Sequence, residues 1–598
     1  MNHEILLGLG SIIVIGIAAQ WLAWRIAIPS ILLLLVFGFI AGPLTGFINP
    51  DKLLGEALFP IVSISVAIIL FEGGLSLKFK DLKKSGNVVR NLISIGALVT
   101  WILSSLAVYF ILDFDLPIAL LLGAILIVTG PTVIIPLLRH VRVTGRVGSI
   151  VKWEGIVNDP IGAIIAVLVL EAILIGSFAQ TIFTIVTSII ITILISAALG
   201  GFGALILIQL LKRHWIPGYL HSSITLMIVV GIFTASNLIQ SESGLLSVTL
   251  LGILMANQKQ ANLKHIIEFK ENLGILLIST LFIILAARLK LENLADLGVH
   301  SLLFLIILIV VVRPASIFFS TIKSDLSWKE KVFLSMMAPR GIVAAAVTSI
   351  FAVKLISEGG FEQARFMVPE IFSIIVGTVT FYGLLAVPLG KWLGLASPNP
   401  QGVIIAGSHS WAREIGSLLK SKGFDVLMVD TNRENINEAR MSGINTIYGS
   451  IISDYLVDEI DLGKYGSLLA LTPNDEVNSL ASLHLTEILG RSKVFQLAPY
   501  KQDSARKESV AKPLRGRVLF GSDLHYEKLD ELFSSGLKLK SNNITDTFTF
   551  EKFKEKYSSD AIPLFIISEN KKLEVITPEN EPKPEEGDSI ISLVKEIE

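Results

Sequence analysis

The chain contains no cysteine, so disulfides and thiolate-held metals are excluded. Charge is scarce too. Asp, Glu, Lys and Arg make up 17% of 598 residues, and 50 basic against 51 acidic side chains leave a net charge of −1. A chain without excess positive charge is a poor partner for nucleic acid. No Thr-Val-Gly-Tyr-Gly run is present, which removes the carbonyl filter of a potassium-selective pore. The opening Met1-Asn2-His3-Glu4-Ile5 has no basic cluster, so the first apolar segment reads as a retained helix, not a cleaved signal.

Apolar side chains take the place of charge. Hydrophobic residues make up 52% of the chain, and they are spread unevenly. Residues 1–394 are a succession of apolar segments, whereas 401–598 has ordinary globular composition. The asymmetry predicts a polytopic α-helical membrane domain followed by a soluble one. Thirteen segments approach the ~20 residues that span a bilayer core: 4–23, 27–43, 57–76, 91–112, 116–138, 149–175, 180–211, 219–239, 244–256, 271–288, 300–321, 332–354 and 366–394.

Basic residues follow the odd-numbered segments. Lys78, Lys80, Lys83, Lys84 and Arg90 come after the third, and Arg139, Arg142 and Arg146 after the fifth. Lys212 and Arg213 follow the seventh, Lys259, Lys264 and Lys270 the ninth, and Lys323, Lys329 and Lys331 the eleventh. By the positive-inside rule, the N-terminus lies outside an inner cell membrane and the soluble domain lies in the cytoplasm.

Polar groups inside the apolar segments are few. The sixth segment holds Trp153-Glu154-Gly155-Ile156-Val157-Asn158-Asp159-Pro160. An ionisable side chain at that depth costs about 3 kcal/mol on insertion scales, so it is normally kept for an ion path, a proton relay or an internal pair. Asp159 reads as the centre of the domain. Two segments are interrupted, the fifth by Val128-Thr129-Gly130-Pro131-Thr132 and the twelfth by Ala338-Pro339-Arg340-Gly341. Proline removes a backbone donor, so both are expected to unwind at mid-membrane. They stand fifth in segments 1–6 and fifth in segments 8–13. That correspondence predicts an inverted repeat with two broken, crossing helices and a substrate site between them.

These residues carry a resemblance. Glu154-x-x-x-Asn158-Asp159, the Thr129-Gly130-Pro131 break, Arg313 within Val310-Val311-Val312-Arg313-Pro314, and Arg340-Gly341 together resemble the monovalent cation:proton antiporter-1 family, the NhaP-type sodium/proton antiporters. The resemblance covers residues 1–394 and implies a transporter rather than an enzyme. It implies that Asp159 holds either a proton or a cation. Asn158 stands where electrogenic relatives have a second aspartate, which implies electroneutral exchange. It further implies oxygen ligands from Thr129, a buried Glu154–Arg313 ion pair, and Glu72 on the approach to the ion. A carboxylate withdrawn from water takes up protons more readily, which suits one site shared by two ions. Two departures bear on selectivity: Gly130 replaces the usual aspartate of the fifth segment, and Gly155 replaces a common serine. Sodium is the leading cation, with potassium and lithium open. The alternative reading is Kef-like potassium/proton exchange.

The soluble part is expected as two domains, 401–515 and 516–598, after a membrane domain of 1–396. Gly402–Ala406 reads as a buried strand, Gly407-Ser408-His409-Ser410-Trp411-Ala412 as a turn into a helix, and Val426–Val429 as a second strand ending at Asp430. This is a βαβ unit with an acid 23 residues after the first glycine. The glycine fingerprint is incomplete, with His409 at its second position and Ala412 at its third. Together with Leu469-Ala470-Leu471-Thr472-Pro473-Asn474-Asp475-Glu476-Val477-Asn478, it resembles the Rossmann-like TrkA-N, or RCK, regulatory domains, and 516–598 resembles their small β-rich TrkA-C appendage. The resemblance implies a homodimer that binds an adenine nucleotide (AMP, ATP or NAD(H)) at Gly407, Ser408, His409, Ala412 and Asp430. His409 crowds a second phosphate, so a mononucleotide is expected to bind at least as well as a dinucleotide. No redox cofactor and no tightly bound metal are expected.

Overall fold

The computed structural model describes residues 3–595 except 27, 83–84, 142, 144, 176–177, 262, 290, 293–297, 396–399, 454–463, 501–514, 558–560 and 581–582. Lys83, Lys84 and Arg142 of the basic loops therefore lie outside the described residues, as do 396–399, where the membrane domain is expected to end, and the stretch 501–514. Two compact units, Met1–Ala396 and Ser397–Glu598, meet where the composition changes.

Among the described residues of the first unit, eight helices are long and apolar enough to cross a membrane, from His3–Ile26 to Glu362–Leu393. Five shorter apolar helices are Ser30–Leu44, Leu116–Ile125, Ser243–Asn257, Asn272–Ala287 and Ile342–Ser357. Together they fall on all thirteen predicted segments, and two of the short ones are the interrupted fifth and twelfth. The helix that carries Asp159, Val147–Leu174, is 67% buried over its apolar window, against 22% for His3–Ile26. The polar sequence is thus at the centre, and helices apolar on every face form the rim. Trp24, Phe110 and Leu238 are each at least three-quarters exposed on that rim, which suits lipid and not water.

Glycine sets the closest helix contacts. A Cβ on Gly74 would stand 2.5 Å from Thr249 O, so helix Leu58–Leu75 lies directly on the backbone of Ser243–Asn257.

The fifth segment breaks between Leu116–Ile125 and Pro131–Val141, and the twelfth between Trp328–Ser335 and Ile342–Ser357. The unwound stretches cross each other, with the Gly130 amide donating to Pro339 O at 3.0 Å. At the other end of these half-helices, Ser327 and Glu330 form a capping box on Trp328–Ser335. Arg146, which follows Pro131–Val141, donates through Nε to Glu330 Oε1 at 2.9 Å and through Nη1 to Asp325 Oδ2 at 2.7 Å.

In the second unit, β1 (Gly402–Ala406), β2 (Val426–Asp430), β3 (Asn445–Tyr448), β4 (Tyr465–Ala470), β5 (Val494–Gln496) and β6 (Arg517–Val518) form one parallel sheet in the order β3-β2-β1-β4-β5-β6. The first βαβ unit pairs Val403 with Val426 and Ala406 with Val429. A second, antiparallel sheet has the order β7-β10-β8-β9, from Leu537–Asn543, Ser589–Lys595, Ile562–Ile567 and Leu573–Val575. The expected boundary at 515/516 needs correction. The sixth parallel strand comes from beyond it, and one core takes in Ile405 and Trp411 with Leu564, Phe565 and Leu593. Trp411 stacks on Phe533 with ring centroids 5.7 Å apart. The two parts share that core, so the expected boundary is not a cut in packing.

Candidate functional site

Helical spacing puts Glu154 and Asn158 one turn apart, and Gly155 and Asp159 likewise. Asp159 is fully buried, and Glu154, Asn158 and Thr129 are buried around it. The backbone explains how the elements meet. A Cβ on Gly162 would stand 2.8 Å from Val128 N, and one on Gly155 would stand 2.5 Å from Ile134 Cδ1. Glycine at both places lets the Asp159 helix lie on the unwound stretch and on the half-helix after it. At Gly155 the family's serine would therefore need Ile134 to move. Thr129 Oγ1 donates to Gly155 O at 3.1 Å, which fastens the break to that helix.

Two arginines secure the cluster. Arg313 pairs with Glu154 through both Nη atoms, and Nη2 donates to Oε2 at 3.0 Å. The same guanidinium donates to Leu334 O, at 2.9 Å from Nη2, and to Met337 O at 3.1 Å. Those carbonyls lie at the end of the half-helix Trp328–Ser335, so Arg313 adds donors and positive charge at a negative helix terminus. Arg340 does the same for the fifth segment, donating from Nη1 to Val128 O at 3.2 Å. Its own amide donates to Thr378 Oγ1 at 3.2 Å.

Asp159 has no such partner. Neither of its carboxylate oxygens meets a hydrogen-bond donor, and Asn158 Oδ1 is likewise unmatched. The Thr129 amide approaches Asp159 outside hydrogen-bond geometry, and Arg340 acts on it through space. A buried carboxylate with open lone pairs can accept a proton or a small cation. The structure thus gathers Asp159, Asn158, Thr129, Gly130, Pro131, Glu154, Arg313, Arg340 and Gly341. It does not bring Glu72 to them. That carboxylate lies against Gly274, where an added Cβ would meet Glu72 Cδ at 2.9 Å, and it borders a narrow cleft with Ser222, Thr225 and Lys270.

Three polar residues of the cluster escaped the sequence reading. Thr132 is buried with an unmatched hydroxyl. Thr378 receives the Arg340 amide, and Tyr382, also buried, interacts electrostatically with both arginines. Thr132 was detectable from its place beside Pro131. Thr378 and Tyr382 had no local signal, because threonine and tyrosine are ordinary in apolar helices.

In the second unit Gly407 leaves β1 at φ +102, a left-handed conformation that favours glycine. The loop is closed on itself. Asp430 Oδ2 accepts from Ser408 N at 2.7 Å and from Asn435 Nδ2 at 3.2 Å, while Oδ1 accepts from Asn432 N at 2.8 Å. His409 Nε2 bonds Leu471 O at 2.8 Å, and its ring lies 4.2 Å from Trp411 and 5.0 Å from Tyr526 between centroids. Burial pushes the His409 imidazole below the ordinary histidine value. Ala412 is fully buried in the following helix. The Thr472–Asn478 signature is occupied by its own turn, with Asn478 Nδ2 donating to Thr472 O at 2.8 Å.

Comparison with known proteins agrees with both units. The family model "Sodium/hydrogen exchanger, transmembrane" matches residues 10–392, and the TrkA-N domain model matches 403–508. The chain is similar to Na(+)/H(+) antiporter 1 of Methanocaldococcus jannaschii, 26% identical over 403 residues, covering 65% of this chain and 93% of the relative. It is also similar to the K(+)/H(+) antiporter NhaP of Alkalimonas amylolytica, 27% identical over 410 residues, covering 66% and 68%. Its fold is similar to that of the sodium proton antiporter MjNhaP1 from Methanocaldococcus jannaschii at pH 8. There the TM-score is 0.53 at 25% identity, covering 64% of this chain and 96% of that one. With its crossing broken helices and its TrkA-N domain, the chain belongs to the sodium/hydrogen exchanger family, membrane antiporters of cations and protons and not enzymes.

Proposed function

We propose that the protein exchanges sodium for protons one for one, with Asp159 as the group that both ions share. One observation carries the reading. Glu154 and Arg313 are matched, Arg340 is tied to Val128 O, and Asp159 alone among the buried charges of the cluster has both oxygens open. A cation that meets Asp159 can draw further oxygens from Asn158 and Thr129. Asn158 adds no charge of its own, so one proton or one monovalent cation neutralises the site, and exchange is electroneutral.

The test is exchange by the full-length protein in proteoliposomes with sodium, potassium or lithium gradients, followed by an internal pH dye. Sodium-driven proton movement that is insensitive to membrane potential is expected. Potassium is the second reading. Gly130 and Gly155 take away a carboxylate and a hydroxyl from near Asp159, which reduces the dense ligand shell that a small cation favours, and one relative is named a K(+)/H(+) antiporter. Faster exchange with potassium than with sodium would select it, and a Kef-like role with it.

The orientation proposed is N-terminus outside an inner cell membrane and TrkA-N domain in the cytoplasm, on the loop charges. The second unit is proposed to form a homodimer and to take an adenine nucleotide near Gly407, Ser408 and Asp430. Because Asp430 already holds the Ser408 amide, a ribose must share or displace that bond, which favours modest affinity. Ligand alters transport only if it prefers one conformation of the transporter. Calorimetry with AMP, ATP, NAD and NADH on wild type and Asp430→Ala measures this. Absence of heat with all four would leave the unit as a dimerisation scaffold.

A further inference from the structure

A second buried carboxylate lies outside the Asp159 cluster. Glu370, in the first turn of helix Met367–Leu393, is only 4% exposed. Its Oε2 accepts from Ser301 Oγ at 2.7 Å, and its Oε1 has no hydrogen-bond partner. Among the described residues, no Lys or Arg forms an ion pair with it, and the Ser301 hydroxyl is the one polar group acting on it. A buried carboxylate in this state lacks a counter-charge.

Glu370 is among the residues that line a cavity of about 500 Å³. Three separate parts of the chain line it: Asp113 after the fourth apolar segment, His300 in the first turn of the eleventh, and Gln363 before the thirteenth. The positive-inside rule assigns these three parts to one side of the membrane, the outer one. A carboxylate, a serine hydroxyl and an amide thus line one cavity with a second carboxylate, Asp113, and the Gln363 amide oxygen accepts from Asp115 N at 2.9 Å. That donor set suits an alkali cation. No group of three or more His, Cys, Asp or Glu that would hold a multivalent ion occurs among the described residues. Along the helix Glu370 stands eight residues, about 12 Å, from Thr378, which bonds Arg340 at the crossing.

We propose that this cavity is an outer cation site, in which Glu370 binds one alkali cation about two turns from the crossing of the broken helices. Only the choice of ligand rests on the transport reading. The test is therefore scored in the full-length protein with Asp159→Asn, where the central carboxylate is absent. Thermal unfolding is followed as sodium chloride replaces choline chloride at fixed ionic strength. A ligand that binds the folded state raises the midpoint saturably. The expected result is a saturable rise in Asp159→Asn whose half-saturating sodium concentration increases at least tenfold, or which disappears, when Glu370→Gln is added. Should that double variant fail to fold, Ser301→Ala in the same background keeps the carboxylate and is expected to raise the half-saturating concentration several-fold. No saturable rise in Asp159→Asn would overturn the site. So would a half-saturating concentration unmoved by the second substitution, since a merely structural carboxylate changes the midpoint equally in sodium and in choline.

Discussion

Gly130 and Gly341 meet backbone to backbone: a Cβ built on Gly130 would stand 2.7 Å from Gly341 Cα and 2.8 Å from Gly341 N. Any side chain at 130 must push the two unwound stretches apart and stretch the bond from Gly130 N to Pro339 O. This is the position where the family more often carries aspartate, so the crossing here is closer than an aspartate would permit. We expect Gly130→Ala to cost about 1–3 kcal/mol, the usual range for overpacking a tight contact. Thermal unfolding of the purified protein measures it. A midpoint equal to wild type would mean that the stretches part freely.

Breaking the Glu154–Arg313 pair from either side leaves a buried charge without its partner. Loss of one partner is expected to cost about 3–5 kcal/mol. Arg313→Gln should be the worse of the two, because it also strips donors from Leu334 O and Met337 O. The double variant should be less destabilised than the sum. Additive losses in a double-mutant cycle would show that the two residues do not act as a pair.

Asp159→Asn removes the group proposed to take either ion but little that holds the fold, since its oxygens bond nothing. Expected outcomes are loss of sodium/proton exchange in proteoliposomes and a thermal midpoint at or above that of wild type. Exchange at near wild-type rate would place the shared site elsewhere.

His409 makes the second unit sensitive to acid. Burial depresses its proton affinity in the folded state, so below the ordinary value, about 6.5, the unfolded chain binds more protons than the folded one. Stability is then fully present above that value and falls as the pH is lowered through the window beneath it. Denaturant unfolding of residues 397–598 between pH 7.5 and 5 should show this slope. In His409→Gln the slope should be shallower. An unchanged slope would assign the acid sensitivity to other groups.

How much of this was legible beforehand follows from the physics of each signal. Segment positions came from sustained apolar composition, and the two breaks from Thr129-Gly130-Pro131 and Pro339-Arg340-Gly341, because proline and glycine act locally. The Glu154–Arg313 pair was accessible through the family resemblance, and a buried carboxylate near an arginine in hydrocarbon is expected to pair. Facing was not accessible. A helix apolar on every side gives no stripe to orient it, so nothing in the sequence said that Glu72 turns to Gly274 or that Ser301 reaches Glu370 across 69 positions. In the soluble unit the alternation of strands and helices was readable. The sixth strand at Arg517–Val518 is only two residues long, too short for any periodicity. That Asp430 bonds its own loop followed from the local turn geometry, which composition does not encode.

Arg146 stands at the start of the helix that carries Asp159, where its carbonyl accepts from Ile150 N, and its guanidinium bridges Asp325 and Glu330 at the start of Trp328–Ser335. The Asp159 helix is therefore tied at that end to the half-helix that leads into the twelfth-segment break, while Gly130 N bonds Pro339 O at the crossing itself. A pull on one of these elements is passed to the others through two joints far apart along the chain. Arg146→Ala would release the outlying joint and let the Asp159 helix and the Trp328–Ser335 half-helix move independently, which is a route to uncoupled leakage without any change at Asp159.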